Sequence, residues 1–390
     1  MPRLARLLLV TFIESLAAIC VQRAIFFFCE DQLGFSSASN LSLALGCGVA
    51  YVAGALASRR ASLAVGEKRL MAAAIAAQLL AHLVIAGSPV TGVVVVCAVA
   101  LGLFNGLKWP LIESYVSGGR SVADTAQAIG RFNIAWASAI PLTLLVAGPI
   151  IHLWPRGLFV LPAGLNLAAL WLIRPLPARP LRLPEGHPHR PPSAHLRHLG
   201  SLLSSARWSM LTSYAALWIM AAMAPDIFKG LGVGVAWATG LAGLVDAARL
   251  TAFIVLERWR AWDGRRWPLV CVIPALPAGL FIVLFGKSLG VVLAGEVLFG
   301  LAAGMTYYAA LYYAMVVKNA SVDAGGAHEG LIGAGFALGP VAGLAGIALK
   351  PALGSKVLGT IAGIGPLFVI CSVGAARALV RTGNGADADP

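Results

Sequence analysis

Apolar runs of membrane-spanning length follow one another down this chain, and they leave few folds open. They lie near residues 5–28, 40–57, 70–87, 91–116, 126–150, 156–173, 207–225, 235–256, 268–286, 290–316, 329–349 and 356–378. A helix needs about 20 mostly apolar residues to cross a bilayer. Only helices and closed barrels satisfy their backbone groups inside lipid, and these runs are too long and too uniformly apolar for barrel strands. The expectation is an all-α integral membrane protein with twelve transmembrane helices. Composition agrees. The chain is 59% hydrophobic and 12% charged, whereas a soluble domain carries about a quarter charged residues. Disordered proteins, collagen-like fibres and ordinary cytosolic enzymes are excluded.

Between Arg174 and Arg207 the pattern breaks. Seven prolines (Pro175, Pro177, Pro180, Pro184, Pro188, Pro191, Pro192) and six arginines fall in this stretch. It reads as an exposed linker. The expected organisation is an N-terminal bundle of six helices over 1–173, a linker over 174–206, a C-terminal bundle of six over 207–380 and a tail over 381–390. The linker histidines His187, His189, His195 and His198 have no acidic or cysteine cluster beside them. They read as part of a solvated basic loop rather than a metal site.

The net charge of +13 would suggest a nucleic-acid partner in a soluble protein. The positions of the charges give another account. With the N-terminus inside, 21 of the 29 basic residues fall in inner loops and five in outer loops. Arg23, Lys108 and Arg249 fall within spans. That asymmetry places both termini in the cytoplasm and removes the need for nucleic acid. Arg3 and Arg6 ahead of an apolar stretch look like the start of a signal peptide, but Glu14 interrupts the run and apolar sequence continues to Phe28. An uncleaved first span is the better reading. The six cysteines (Cys20, Cys29, Cys47, Cys97, Cys271, Cys371) form no CxxC or zinc spacing and read as buried thiols.

The fourth and tenth spans look alike. Gly102-Leu103-x-x-Gly106-x-x-Trp109 with Tyr115 matches Gly300-Leu301-x-x-Gly304-x-x-Tyr307 with Tyr313, at an offset of 198. Beyond the next loop the offset becomes 199, pairing Asp124 with Asp323 and Pro141 with Pro340. The two six-span halves are read as copies of one unit. Transporters are often built from such repeats, with the substrate site between them.

Over nearly its full length the chain resembles the major facilitator superfamily, chiefly in its arrangement of six spans, a basic central loop and six spans. That family carries G-x-L-A-D-R and then G-R-K/R between its second and third spans. Here the loop reads Gly54-Ala55-Leu56-Ala57-Ser58-Arg59-Arg60 and then Gly66-Glu67-Lys68-Arg69, with Ser58 in place of the acid. The counterpart, Leu256-Glu257-Arg258-Trp259-Arg260 to Gly264-Arg265-Arg266, is partial. The resemblance implies a gating role for Arg59. It also implies that spans one, four, seven and ten line a central cavity. Gly335-x-x-x-Gly339-Pro340-x-x-Gly343 in span eleven is similar to the fifth-span motif of drug antiporters, but span five lacks it. It reads as close helix packing.

Ionisable groups within spans are the most informative residues, since each costs about 2.5–3.5 kcal/mol at a span centre and so finds a partner or water. Asn105, Lys108, Trp109 and Glu113 share one face of span four. Lys108 and Glu14 fall at similar depth, which suggests an ion pair. Either solute or a proton competes for that pair at the cavity, in which case Lys108→Ala abolishes transport without unfolding the protein, or the pair permanently ties spans one and four. Glu113 lies nearer the cytoplasmic end, where solvation would account for it. Glu296, Tyr307 and Tyr308 share a face of span ten, and Tyr214 and Trp218 lie one turn apart on span seven; all are candidate substrate contacts. Asp246 and Arg249 are expected to pair along span eight as a structural bridge, with a gate contact as the alternative. Asp124 and Asp323 are candidate N-terminal helix charges. Glu14 and Glu296 are the candidate proton carriers, because apolar surroundings favour the neutral form of a carboxylate.

Two enzyme-like motifs carry no enzyme. Gly286-Lys287-Ser288-Leu289-Gly290 fits G-x-S-x-G but joins two spans instead of a strand and a helix. His328-Glu329 opens H-E-x-x-H, but Ile332 occupies the second histidine position. No phosphate-binding Walker loop is present, and no cofactor is expected. The reading is a monomeric secondary transporter of a small polar or charged solute in a bacterial inner membrane, with protons as candidate coupling ion. The rival is a polytopic membrane enzyme or scaffold without transport.

Overall fold

The computed structural model describes residues 3–181, 193–318 and 321–386. The linker residues Pro184, Pro188, Pro191, Pro192, His187 and His189 lie outside these, as does the end of the tail. The side chain of His195 is likewise outside the description.

The described residues are almost entirely helical. The first half of the chain holds α1 (Arg3–Leu33), α2 (Ser37–Val65), α3 (Glu67–Gly87), α4 (Thr91–Ser117), α5 (Val122–Leu153) and α6 (Gly157–Leu172). The second half holds α7 (Ser193–Gly230), α8 (Val235–Arg258), α9 (Trp267–Phe285), α10 (Leu289–Val317), α11 (Val322–Leu353) and α12 (Lys356–Ala386). Eleven of these are long and apolar enough to cross a membrane, and α6 is a shorter apolar helix. The chain is a multi-pass membrane protein. Its outward faces are apolar, with Leu56, Leu80, Val96, Leu145, Trp171 and Ile370 all exposed. Lipid takes the place of water around such a belt.

Helix ends differ from the sequence reading in two places. The seventh helix begins at Ser193, inside the stretch read as linker. The last helix runs to Ala386, past the point read as the start of the tail. The start of the linker is held against the first half: Lys68 donates to the carbonyls of Arg174 and Leu176, and Tyr115 donates to that of Pro177. The cysteine reading also needs correction. Cys20, Cys29, Cys47 and Cys371 are buried, but Cys271 is exposed and Cys97 half-buried, because their apolar spans turn those faces outward.

Close packing rests on small residues. A Cβ on Gly102 or Gly106 would strike the carbonyl of Cys47 or Tyr51 in α2. A Cβ on Gly300 or Gly304 would strike Val245 or Arg249 in α8. Each contacted residue in α2 has its counterpart in α8 at the offset of 198 that relates the glycines themselves. The repeat seen in the sequence is therefore a repeat of contacts: the fourth helix packs on the second as the tenth packs on the eighth. The fifth and eleventh helices also begin alike. Ser121 accepts from the Asp124 N–H at 3.1 Å, and Ser321 accepts from the Ala324 N–H at 3.1 Å. Each serine satisfies one donor that a helix start leaves open.

Helix α7 sits at the centre, its apolar stretch mostly buried, whereas α12 sits at the edge with most of its apolar stretch turned outward. In α1 a π-helical turn at Cys20–Ala24 interrupts the regular winding. Such turns re-aim side chains and are frequent at functional sites. This one carries Arg23.

Candidate functional site

A cavity opens between the two halves. α1 contributes Ser15, Gln22 and Arg23; α2 contributes Tyr51; α4 contributes Trp109; α5 contributes Phe132 and Trp136. From the second half come Tyr214 and Trp218 of α7, Asp246 and Arg249 of α8, Tyr307 of α10, and Glu329 and Phe336 of α11. Helices α3, α6, α9 and α12 contribute none of the lining. Spans one, four, seven and ten do line the cavity, and two, five, eight and eleven complete it.

One wall is ionic. Arg23 donates to Asp246 Oδ2 at 2.7 Å, and Arg249 donates to Asp246 Oδ1 at 3.2 Å. Asp246 thus holds two arginines, one from each half. All three are buried, at 7%, 0% and 3% exposure for Arg23, Asp246 and Arg249. The pairing expected between Asp246 and Arg249 is present, and Arg23 joins it. Arg249 also donates to the Tyr214 hydroxyl at 3.0 Å. Its guanidinium lies 4.8 Å from the Trp136 ring, 5.4 Å from Tyr214 and 5.9 Å from Tyr307. The negative faces of those rings attract the cation and hold it in place. Its Nε has no hydrogen-bond partner among the described residues.

The rest of the wall is aromatic. Trp218 and Phe336 rings stand 4.0 Å apart, and Trp136 and Tyr307 stand 4.8 Å apart. Glu329, also in the lining, accepts from the Tyr51 hydroxyl. The cavity can therefore engage an anionic group at one end and an apolar body between the rings.

The expected Glu14–Lys108 pair forms, at 2.5 Å, but neither residue lines the cavity. It sits inside the first half. Lys108 also donates to Gln78 at 2.9 Å, and Asn166 donates to Glu14 at 3.0 Å. His82 meets Asn166 at 2.9 Å. Helices α1, α3, α4 and α6 are joined by this one network. Asn105, Glu296 and Tyr308 are buried and likewise absent from the lining, whereas Trp109, Tyr214, Trp218 and Tyr307 belong to it. Glu296 keeps one oxygen without a hydrogen-bond partner among the described residues.

Glu113 corrects the sequence reading. It is 1% exposed and not solvated. Its distance from the helix end was a poor measure of exposure, because α11 covers it, with Gly325 set against Glu113 and Pro110. Arg59 is half-buried near the α2–α3 turn. Ser58, standing where an acid was expected, donates to the Leu107 carbonyl at 2.9 Å and ties α2 to α4. Asp124 and Asp323 are exposed in the first turns of α5 and α11.

Sequence reasoning missed Arg23, Tyr51, Trp136 and Glu329 as cavity residues. Arg23 carried a signal, a charge within a span. Glu329 was weighed only as part of a zinc motif.

Comparisons with known proteins agree with this architecture. The family model described as Major Facilitator Superfamily matches residues 7–344. No curated protein matches the chain in sequence. Three solved structures are similar in fold. The human organic anion transporter MFSD10 (TETRAN) is 15% identical, with a TM-score of 0.66, covering 96% of this chain and 100% of its own. A bacterial homologue of the human lysosomal transporter Spinster, inward-facing and unoccupied, is 16% identical, with a TM-score of 0.65 and coverage of 98% and 94%. A variant of the nucleoside transporter NupG is 12% identical, with a TM-score of 0.66 and coverage of 99% and 100%. With its interior cavity and its family match over most of its length, the chain belongs to the Major Facilitator Superfamily and is a secondary transporter, not an enzyme.

Proposed function

We propose that this transporter carries a small organic anion with an aromatic or otherwise apolar body. The observation that supports it is the ionic wall, where two arginines share one aspartate and so leave one positive charge facing a chamber of aromatic rings. An Arg guanidinium offers a planar fork suited to carboxylate or phosphate. Rings around it exclude water and strengthen that contact. MFSD10, similar in fold, is an organic anion transporter, which is in keeping with this reading.

The twelve helices act as two six-helix bundles that rock about the cavity, exposing it to each side in turn. Protons are the proposed coupling ion, and the protein works as a monomer. Both termini lie in the cytoplasm of a bacterial inner membrane, a placement supported by the excess of Arg and Lys on one set of loops.

A thermal-shift screen of purified protein against small solutes sorted by charge tests the solute class. A ligand bound only by the folded state raises apparent stability with occupancy. Aromatic carboxylates should stabilise the protein, and Arg249→Lys, which keeps the charge but loses the fork, should weaken them by about tenfold or more. Stabilisation by cations or neutral solutes alone would overturn the assignment.

A further inference from the structure

Beside the cavity, where α4 meets α11, three titratable side chains converge. Glu113 of α4 and His328 and Glu329 of α11 each bring an atom within 4.8 Å of the others. They are 1%, 0% and 3% exposed. This is the end of the molecule where the chain begins, since Arg3 lies over the ring of Tyr115, at 6.0 Å. Neither oxygen of Glu113 and neither ring nitrogen of His328 has a hydrogen-bond partner among the described residues. Tyr51 of α2 donates to Glu329, and the Tyr307 ring of α10 stands edge-on to His328 at 4.9 Å. The other titratable groups facing the cluster are Tyr214 and Arg207 of α7 and Arg249 of α8. None of these cations forms an ion pair with either glutamate among the described residues, and Arg249 is already committed to Asp246.

Two carboxylates face each other here with no donor between them. Ionised, they would repel at this buried position; with one proton, one acid donates to the other. We propose that Glu113 and Glu329 bind a single proton between them, and that this proton fastens the first half of the chain to the second at this face. A metal ion suits the geometry less well. His328 and Glu329 are consecutive on a helix and leave its axis about 100° apart, whereas a shared proton needs only one pair of oxygens. The contact around the pair is a close one between small residues. Gly325 and Gly333 of α11 meet Pro110 and Val52 without side chains of their own. Release of the proton leaves two negative charges across a contact of small residues, and α4 and α11 separate. Glu329 lines the cavity, so the proton has a path to and from it. The pair deepens the proton-coupled reading above; it concerns the coupling ion alone, so a wrong solute class leaves it standing.

The test needs no solute. Spin labels at Arg120→Cys and Lys318→Cys, with Cys97→Ala and Cys271→Ala to remove the accessible thiols, report the separation of this face in lipid nanodiscs. Raising the pH should shift the distance distribution from short to long. Glu113→Gln supplies an amide donor to Glu329 and should stay short at every pH. Infrared difference spectra of the unsubstituted protein provide a second measurement that needs no variant to fold. A buried carboxylic-acid band should disappear as the face opens. A pH-independent separation, a shift that persists unchanged in Glu113→Gln, or the lack of a titrating acid band would each overturn the proposal. So would a shift produced by Zn²⁺ or Mn²⁺ and reversed by a chelator at constant pH, which would assign the site to a metal ion.

Discussion

Replacing Lys108 by methionine separates the two roles its ion pair could play. Lys108 and Glu14 are 1% and 0% exposed and 2.5 Å apart. Methionine matches the length of the lysine stem and leaves Glu14 with Asn166 as its remaining partner, at 3.0 Å. Removing one member of a buried pair costs about 3–5 kcal/mol, because the other charge stays buried and uncompensated. Removing both costs far less. Glu14→Gln keeps a carbonyl for Asn166 and brings no charge, so Glu14→Gln with Lys108→Met should regain most of the loss. A coupling of about 2–3 kcal/mol across the four-member cycle is expected. Reversible unfolding in mixed detergent measures the stabilities, and uptake into liposomes measures function. Because the pair lies off the cavity, the double variant should transport while the single lysine variant is lost to instability. If Lys108→Met is as stable as the parent, or if the double variant is stable yet inactive, the pair is not a structural tie and the cavity-competition reading returns.

Two further outcomes follow from the fold. Gly339→Val places a side chain against the backbone of Ala215 where α11 crosses α7, and should cost about 1–3 kcal/mol by overpacking. Gly365→Ala, with nothing within 4 Å, should not destabilise α12 in the same unfolding assay. For orientation, exposed cysteines introduced by Lys287→Cys, between α9 and α10, and by Arg60→Cys, in the last turns of α2, are expected on opposite sides of the membrane. A membrane-impermeant thiol reagent added to intact cells should label the first and spare the second, and the reverse pattern would invert the topology.

Much of the fold was legible because a bilayer allows so few solutions. Twelve apolar runs meant helices, and recurring Gly102, Gly106, Gly300 and Gly304 marked where helices cross closely. The ion pair was legible from depth alone, since Glu14 and Lys108 lie at similar distances from the same membrane face. What depth does not encode is rotation. It could not say that Lys108 turns into the first half while its neighbour Trp109 turns to the cavity. Nor could it say that the π-helical turn at Cys20–Ala24 aims Arg23 at Asp246 across the halves. Glu113 was misjudged for a related reason: burial near a helix end depends on what packs there, and a glycine-rich neighbour packs closely.

The repeat shows where the two halves part in chemistry. Tyr51 and Arg249 are repeat-related, both line the cavity, and both reach a carboxylate: Arg249 holds Asp246 within its own half, and Tyr51 holds Glu329 of the other. An arginine brings a full positive charge to its partner, whereas a tyrosine hydroxyl is neutral and serves a neutral acid and its anion unequally. Tyr51→Phe tests that difference. The ring contact with Phe336, 5.1 Å between centroids, survives the change, so only the hydroxyl is lost. A hydrogen bond to a neutral group contributes about 0.5–1.5 kcal/mol, and one to a charged group about 1.5–3 kcal/mol. Tyr51→Phe should therefore cost less stability at acid pH, where Glu329 shares the proton with Glu113, and more as pH rises and Glu329 carries a full charge. Unfolding measured across pH reads the difference directly. A cost that stays constant with pH would mean that Glu329 does not change charge, and that the hydroxyl serves packing rather than the proton.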